Sequence, residues 1–439
     1  MKILLIQALT VHDQPPIYPL GICCVASYLQ DHEVKMLDLN TESNMEKALD
    51  DNISGLKPDV IGISLRNIKV AMPGAHKSCY NENIELIKKL RQKAPENSRI
   101  VIGGAAFSLY ADYIMNDISE IDFGIFSEGE VSFSELLNNL DDPGKVKGIY
   151  FRDNGKVTFT GYGDTFDFEN SLPPRRDLLD IKKYLVQPVC IGVMSKRGCV
   201  YNCIYCSDIF LLGKKIRART PSSVVDEIED LVTNYGVKDV QFADQVFNFP
   251  IEHAISICRE LIERNVKVDW GAWLSVKPLS TELLELMEKA GCKMINFSPD
   301  SASNGVLKKQ GKGITEKDLT NSYKMMKNIN VNVDYSFMFN GPGESLTSFY
   351  KMIMFLKRAK LNLRKKLNIH ANFMVPMRIY PHSRLHDIAI EDRIVSPDDN
   401  LIEPRFYNPF PLSVLLGFIV RTSGFLWRIV QKGKKLLGK

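Results

Sequence analysis

The chain has 439 residues, of which 45% are hydrophobic and 25% charged, and it contains 28 glycines and 21 prolines. These values are typical of globular proteins and exclude collagen-like, low-complexity and largely disordered chains. At roughly 150 residues per domain, the length predicts two to three domains. The formal net charge of +4 is too small to indicate nucleic-acid binding over the whole surface.

The sequence indicates neither a secretory signal nor a membrane-spanning helix. Residues 2–7 form a short strand-like segment, which is far shorter than the apolar region of a secretory signal. No uninterrupted apolar run reaches the ~18 residues that a transmembrane helix needs. We therefore expect a cytoplasmic protein.

The first part of the chain alternates between strand and helix patterns. Apolar runs at 3–6, 34–37, 60–63, 100–102 and 123–126 predict strands, and apolar residues at helical spacing predict a helix over 81–91. Such alternation predicts a doubly wound parallel sheet covered on both faces, over about residues 1–140. Sheets of this kind bind ligands at the carboxyl ends of their strands.

Residues 141–188 break this rhythm and are predicted to connect two domains. They contain several turn signals, and the Asp153-Asn154-Gly155 turn between two apolar runs predicts a hairpin.

The alternation returns over residues 189–390. Strands are predicted at 189–194, 239–242, 266–270, 293–297, 331–337 and 368–375, with helices such as 222–233, 254–264 and 281–289 between them. Six strand–helix units are fewer than the eight of a closed barrel, so the pattern predicts a partial (β/α)6 barrel of the TIM type that is open on one side.

Three of the nine cysteines carry the chemistry. Six (Cys23, Cys24, Cys79, Cys190, Cys258 and Cys292) are scattered among apolar residues and are predicted to be core residues. The other three stand at Cys-x3-Cys-x2-Cys spacing directly after the first barrel strand, at the end where barrel enzymes keep their active sites: Cys199, Cys203 and Cys206. Gly198 lets the backbone turn tightly into this loop.

Three close thiolates repel one another unless a cation binds them, so the spacing indicates a metal centre. Iron–sulfur clusters usually have four cysteine ligands, and three would leave one iron open to a substrate or cofactor. The alternative, a structural zinc site, needs a fourth Cys or His at short spacing, whereas Ser207 and Asp208 follow Cys206.

This motif resembles the signature of the radical S-adenosylmethionine (SAM) enzymes, Cys-x3-Cys-x-aromatic-Cys, with Tyr205 as the aromatic residue. The resemblance continues along the second half. It implies that the segment with Asp244 lies near the methionine amino group, that Asp300 and Ser301 contact the ribose, and that Gly341 and Glu344 belong to the glycine turn after the fifth strand.

Two positions depart from the family pattern. Asp300 stands where Glu is common, and His382 stands where Gly is common, which places a titratable group where the substrate could lie. Each lesser motif also has a plain structural interpretation: Asp244 as a helix cap, Gly341 as a turn residue and His382 as a loop residue.

The first half resembles the cobalamin-binding domain that precedes one large branch of this family. The resemblance implies that cobalamin binds at residues near the ends of the predicted strands: Leu20, Gly21, Ser64, Gly103, Gly104, Glu128 and Gly129. The Asp-x-His-x-x-Gly motif of histidine-ligated cobalamin is missing around His12, which implies binding without a histidine ligand. Gly-x-Gly-x-x-Gly is also missing after the first strand, which disfavours a dinucleotide. The alternative is a regulatory or structural domain without a cofactor.

Residues 391–439 are predicted to form a helical C-terminal extension. Its end contains Arg421, Arg428, Lys432, Lys434, Lys435 and Lys439 and no acidic residue, and most of these cations fall on one helical face near Trp427. Such a helix fits peripheral contact with the inner face of a membrane, or equally a helix packed on the barrel with a solvated basic face.

Together the resemblances imply a cobalamin-dependent radical SAM enzyme with a [4Fe–4S] cluster on the three cysteines, SAM and cobalamin. Reductive cleavage of SAM would give a 5′-deoxyadenosyl radical, with methyl transfer to an unactivated carbon as the expected reaction. Ring closure, ring contraction or dehydrogenation on the same scaffold, and a non-catalytic cofactor-binding sensor, are the alternatives. A small-molecule or lipid-like substrate and a low-potential electron donor such as flavodoxin or ferredoxin are the expected partners, with no nucleic acid.

Overall fold

The computed structural model describes residues 1–10, 15–68, 78–187, 190–338, 340–368 and 376–409. The basic C-terminal helix predicted from the sequence lies outside these residues, as does His12. No helix formed by the described residues is both long and apolar enough to cross a bilayer.

The first half is a seven-stranded sheet with helices on its faces. Its elements are β1 (Lys2–Gln7), α1 (Leu20–Ala26), β2 (Glu33–Asp38), α2 (Met45–Leu56), β3 (Val60–Ser64), α3 (Tyr80–Lys93), β4 (Arg99–Gly103), α4 (Ala105–Leu109), α5 (Ala111–Asp117), β5 (Phe123–Ile125), α6 (Gly129–Leu137), β6 (Ile149–Asp153) and β7 (Lys156–Phe159). The order is β2-β1-β3-β4-β5-β6-β7, and β1 to β5 are parallel. This confirms the doubly wound sheet, and its switch point lies between β1 and β3.

The predicted hairpin is present as β6 and β7, and it extends the first sheet. β6 pairs antiparallel with β5, from Phe123↔Phe151 to Ile125↔Ile149. The segment predicted as a linker therefore contributes two strands to the first sheet, because the apolar residues of β6 complete an edge that would otherwise be exposed.

The second half contains an open six-stranded parallel sheet with helices outside it, and two separate two-stranded antiparallel sheets. Its elements are β8 (Gly192–Val193), β9 (Lys196–Arg197), α7 (Asp208–Leu212), β10 (Arg217–Ala218), α8 (Pro221–Tyr235), β11 (Asp239–Phe242), α9 (Ile251–Glu263), β12 (Asp269–Leu274), α10 (Thr281–Lys289), β13 (Cys292–Phe297), α11 (Asn304–Lys309), α12 (Glu316–Met325), β14 (Asn332–Tyr335), α13 (Leu346–Leu363), β15 (Leu367–Asn368), β16 (Met377–Ile379), α14 (Arg384–Glu391) and β17 (Arg405–Tyr407). The order β15-β14-β13-β12-β11-β8 confirms the partial (β/α)6 barrel.

Two predicted barrel strands are displaced. The strand predicted at 266–270 begins at Asp269 and continues to Leu274, and the apolar residues Val266 and Val268 lie in the connection between α9 and this strand. The strand predicted at 368–375 is described only as Leu367–Asn368, and its remaining residues lie outside the described part of the chain.

Local chemistry explains where the helices begin and end. At α8, the Thr220 side chain accepts a hydrogen bond from the Ser223 amide, Pro221 occupies the first turn, and Gly236 ends the helix in the left-handed conformation. At α12, Thr315 and Asp318 form a reciprocal capping box. These helices pack on the barrel strands around buried residues such as Trp270.

Candidate active site

The cysteine loop occupies the carboxyl end of the first barrel strand and is enclosed by backbone from three segments. The Ile204 amide donates to the Gln310 carbonyl over 3.1 Å, the Leu385 amide donates to the Ile204 carbonyl over 2.8 Å, and the Cys199 amide donates to the Gly213 carbonyl over 3.2 Å. These bonds fix the loop before any cofactor binds.

Glycine is required at the start of this loop. Gly198 has φ +90°, and a Cβ there would lie 2.2 Å from the Lys215 carbonyl oxygen. Gly311, in the segment 310–313 that packs against the loop, has the same function. Its φ is +68°, and a Cβ there would lie 2.1 Å from the Asn202 carbonyl oxygen. The loop and the 310–313 segment thus approach each other more closely than any side chain would permit.

The three cysteine thiols are partly buried and lie in an acidic setting. Burial is the main cause that raises the pKa of each thiol, with the neighbouring cysteines and Asp208 adding to the rise at Cys199 and Cys206. Three thiolates could therefore not coexist here without a cationic centre. Among the described residues, no three His, Cys, Asp or Glu side chains are grouped to bind a single metal ion.

A buried ion pair stands beside the cysteines. Lys312 Nζ lies 2.7 Å from Asp300 Oδ2, and these side chains are 11% and 1% exposed. The Tyr205 hydroxyl donates to Asp300 and accepts from Lys312 Nζ over 3.0 Å. Burial alone would lower the pKa of Lys312, but the charges of Asp300, Cys203 and Cys206 raise it above the ordinary value. Lys312 therefore stays protonated next to the cluster ligands.

Buried acceptor atoms at this site that have no hydrogen-bond partner include Asp300 Oδ1, Gln245 Oε1 and Gln310 Oε1. A buried acceptor without a donor is costly, and a cofactor that brings hydroxyl or ammonium donors would remove that cost. The hydroxyls of the SAM ribose and the ammonium of its methionine part are donors of this kind, so the residues fit SAM. The contact between Asp300 and ribose stays a prediction, and the structure adds that Asp300 has φ +66°.

Asp244 is fully enclosed. Its carboxylate accepts hydrogen bonds from the Ser195 amide over 2.7 Å and the Lys196 amide over 3.2 Å, and it pairs with Lys196 Nζ at 2.9 Å. Because both its oxygens already have protein donors, the geometry favours Asp244 as a residue that positions the strand leading to the cysteine loop. The contact of Asp244 with the methionine amino group stays a prediction, and the adjacent Gln245 has a buried Oε1 without a hydrogen-bond partner.

The remaining predicted residues of the barrel lie around the same site. The Ser301 hydroxyl bonds to Glu344, and burial raises the pKa of that carboxyl. At Gly341, a Cβ would lie 2.8 Å from Gln310 Nε2, so the glycine permits close packing. The His382 ring stacks on Phe210 with ring centres 4.0 Å apart, and burial lowers its pKa. His382 also has φ +61°, which explains why glycine is usual there.

A second site lies at the carboxyl edge of the first sheet, facing the barrel. A cavity of about 410 Å³ is lined by all seven residues predicted to bind cobalamin, from Leu20 to Gly129, and by barrel residues that include Met194 and Ala243. It lies at the β1/β3 switch point, where Gln7 and Ser64 end their strands. Nothing lies within 4 Å of the position that a Cβ on Gly21 would occupy, so this glycine leaves the cavity open.

Among the described residues that line this cavity, none is a histidine; the cations there are Arg66 and Arg197. Guanidinium has no lone pair for a metal. The lining thus fits cobalamin held by apolar and backbone contacts, and binding without a histidine ligand stays a prediction.

Glu128 lines the cavity and also ties the two halves together. Its carboxylate pairs with Arg197 at 2.8 Å and with Arg217 at 2.6 Å, while Arg197 also pairs with Glu130 at 2.6 Å. Arg197 directly precedes the cysteine loop, so the same ion pairs bound the cavity and anchor the loop.

Comparison with known proteins agrees with both sites. The radical SAM superfamily profile matches residues 193–356, and the B12-binding domain profile matches residues 6–137. The chain therefore contains a radical SAM domain and a B12-binding domain, the pair of domains that the cobalamin-dependent radical SAM enzymes combine. Its cofactors are therefore a [4Fe–4S] cluster, SAM and cobalamin.

Several known proteins are similar to this radical SAM enzyme over most of its length. An uncharacterized methyltransferase of Pyrococcus horikoshii is 28% identical over 86% of this chain and 79% of its own length. An anaerobic magnesium-protoporphyrin IX monomethyl ester cyclase of Cereibacter sphaeroides is 25% identical over 77% of this chain and 56% of its own length. The radical SAM methyltransferase TsrM of Kitasatospora setae, solved with cobalamin and a [4Fe–4S] cluster, shares the fold, with a TM-score of 0.77, 20% identity and coverage of 90% of this chain and 75% of TsrM.

Sequence reasoning missed three functional groups of this enzyme. The signal for Lys312 was its position between two glycines in Gln310-Gly311-Lys312-Gly313. Gln245 directly follows a residue that was singled out. The ion pairs between Arg197, Arg217 and the acidic segment connect residues 67 to 89 positions apart, and no local pattern predicts such a distance.

Proposed function

We propose that this enzyme transfers a methyl group to an unactivated carbon of a small organic substrate. The observation that supports it is the common space between the two sites: the cavity of the first sheet is lined from the barrel side by Gly192 of β8 and by Met194 and Ala243, which directly follow β8 and β11. A group held in that cavity and a substrate at the barrel mouth would meet there. Two of the compared proteins, from Pyrococcus horikoshii and Kitasatospora setae, are named as methyltransferases.

When bound, the cluster with SAM would supply radical chemistry, and cobalamin would supply a transferable methyl group. The protein's own residues bind and orient. Cys199, Cys203 and Cys206 would hold the cluster. Asp300 offers an acceptor to the ribose, and Lys312 holds the Asp300 carboxylate in place while contributing a positive charge beside the cluster ligands.

Exclusion of water is the second task of the protein. The cavity is lined mainly by apolar side chains and glycines, including Leu20, Gly21 and Ile125, with few charged groups. Such a lining protects a carbon radical and a transferable methyl group from side reactions.

A second candidate is radical ring closure, which is favoured by the similarity to the cyclase of Cereibacter sphaeroides. Ring contraction and dehydrogenation on the same scaffold would give other products than methyl transfer, and a non-catalytic sensor would give none.

A low-potential donor such as flavodoxin or ferredoxin would supply the electron. In this proposal the reaction takes place in the cytoplasm. Peripheral membrane contact through residues 409–439 stays a prediction.

The test uses anaerobically purified enzyme with cluster and cobalamin restored, a reductant, SAM and candidate substrates. We expect 5′-deoxyadenosine to form and the product to gain one methylene unit. Another mass change in the product would replace methyl transfer by one of the alternatives, and an absence of 5′-deoxyadenosine would favour the sensor. Cys203→Ala should lose iron, sulfide and turnover, whereas Cys258→Ala, at a core cysteine, should retain them.

A further inference from the structure

The outer face of α13 exposes apolar side chains in one line. Leu346, Tyr350, Ile353 and Leu361 are 53%, 63%, 45% and 70% exposed. Their spacing places them on one side of the helix with Lys357 between them, along about 22 Å at 1.5 Å per residue. The opposite side is buried against the barrel through residues such as Met352, Phe355 and Ala359. We call the exposed line the α13 surface.

The α13 surface lies in a strongly cationic segment. Residues 345–368 contain seven Lys and Arg and no Asp or Glu: Lys351, Lys357, Arg358, Lys360, Arg364, Lys365 and Lys366. Lys351 pairs with Glu316 at 2.6 Å, and Lys360 and Lys366 donate to backbone carbonyls. The other four form no ion pair with a described residue. The surface therefore combines exposed apolar groups with uncompensated positive charge.

Charge complementarity decides what can cover such a surface. The C-terminal segment of this chain starts nearby, because Asn408 accepts a hydrogen bond from Asn340, six residues before Leu346. However, residues 421–439 contain six cations and no acid, so they would repel the α13 surface. A second copy of the chain would present the same cations. A surface with anionic groups above an apolar layer complements both features.

We propose that the α13 surface docks on an anionic phospholipid bilayer. Lys357, Arg358, Arg364 and Lys365 would contact lipid phosphates, and Tyr350, Ile353 and Leu361 would enter the boundary between headgroups and acyl chains. This inference concerns a surface outside the catalytic site and does not depend on which reaction the enzyme catalyses.

The test is flotation of the full-length holoenzyme with vesicles. Phosphatidylcholine vesicles containing phosphatidylglycerol should bind the protein, pure phosphatidylcholine vesicles should not, and salt near 1 M should weaken binding because it screens charges beyond about 3 Å. The double variant Lys357→Glu, Arg358→Glu should lower the partition coefficient at least about tenfold. The second variant, Tyr350→Ser with Ile353→Ser, should lower it without changing the net charge.

A matched control changes the same charge elsewhere. The control variant is Lys238→Glu with Lys289→Glu. These two exposed lysines line a groove near the amino ends of the barrel strands, and no residue of α13 lines that groove. This control should bind vesicles nearly as well as the wild type. The visible spectrum of cluster and cobalamin reports whether each variant is folded.

Several outcomes would overturn the proposal. Failure of the wild type to bind anionic vesicles would do so. If both α13 variants bound as well as the wild type, binding would be assigned to the C-terminal segment and the proposal would also fail. An equal loss in the control would show general charge attraction only. If the apolar variant instead converted a dimer to a monomer and bound vesicles normally, the surface would be a protein interface.

Discussion

At the scale of single residues, the pair formed by Lys312 and Asp300 is the least expected feature of the site. Its two charges are buried beside three cysteines, and a buried ion pair with one partner removed is costly because the other charge is left without compensation. The pair also bonds to Tyr205, which belongs to the cysteine motif itself. The ion pair therefore links Asp300, the predicted ribose contact, to the cysteine loop.

Replacing Lys312 with Met should reduce 5′-deoxyadenosine formation about a hundredfold and destabilise the fold by about 3–5 kcal/mol, since Asp300 loses its counter-charge. The double variant Lys312→Met, Asp300→Asn removes both charges and should recover stability but not turnover. Thermal unfolding and product formation, measured on the same samples, check both statements. Lys309→Met, three residues away and exposed, serves as the control. If the double variant regained full turnover, the pair would be structural only.

At the scale of elements, the sequence predicts most strands and helices, but it predicts less well where one element ends and the connection to the next begins. Strands of the first sheet such as β3 are continuous apolar runs bounded by turn signals, so their positions follow from the sequence alone. β12 did not follow the pattern, because its Gly271 and exposed Trp273 interrupt the apolar run, while Val268 is buried and Val266 partly buried outside the strand. Burial by neighbouring elements, and not local preference, decides such cases.

Gly198→Ala tests the turn into the cysteine loop. The added Cβ would lie 2.2 Å from the Lys215 carbonyl oxygen, which is backbone and cannot rotate away. The loop should shift, and the iron and sulfide bound after anaerobic reconstitution should fall well below one cluster per chain. Gly236→Ala has a similar positive φ, of 69°, with nothing within 4 Å. It should cost only about 1–2 kcal/mol and leave the cluster intact. A full cluster in Gly198→Ala would refute the role given to this turn.

Gly21→Leu tests the cobalamin cavity from helix α1. The leucine would extend into the open space of the cavity and should sharply reduce the cobalamin that copurifies, while the cluster spectrum remains. Gly55→Leu in α2 is the matched control, because it also replaces a helical glycine with nothing within 4 Å, and it should retain cobalamin. Normal cobalamin content in Gly21→Leu would place the cofactor elsewhere.

At the scale of the whole molecule, buried ion pairs join the two halves beside the cavity that both of them line. The motifs allowed each half to be predicted separately, but nothing local in the sequence indicates that Arg197 and Arg217 reach Glu128 and Glu130. Those partners depend on how the first sheet packs against the barrel. The same packing brings the cavity to the barrel mouth, so the site between the halves is a tertiary property.

Arg197→Met is expected to disturb both cofactors at once. Glu130 is 3% exposed and would lose its partner at 2.6 Å, which costs about 3–5 kcal/mol, while Glu128 would keep only Arg217. Because Arg197 adjoins the cysteine loop and lines the cavity, the iron and cobalamin contents should fall together, and the unfolding temperature should drop. Adding Glu130→Gln should recover part of the stability. Arg259→Met, which breaks an exposed pair with Glu282, should change the free energy of unfolding by less than about 1 kcal/mol. Loss of one cofactor with full retention of the other would show that the ion pairs do not couple the two sites.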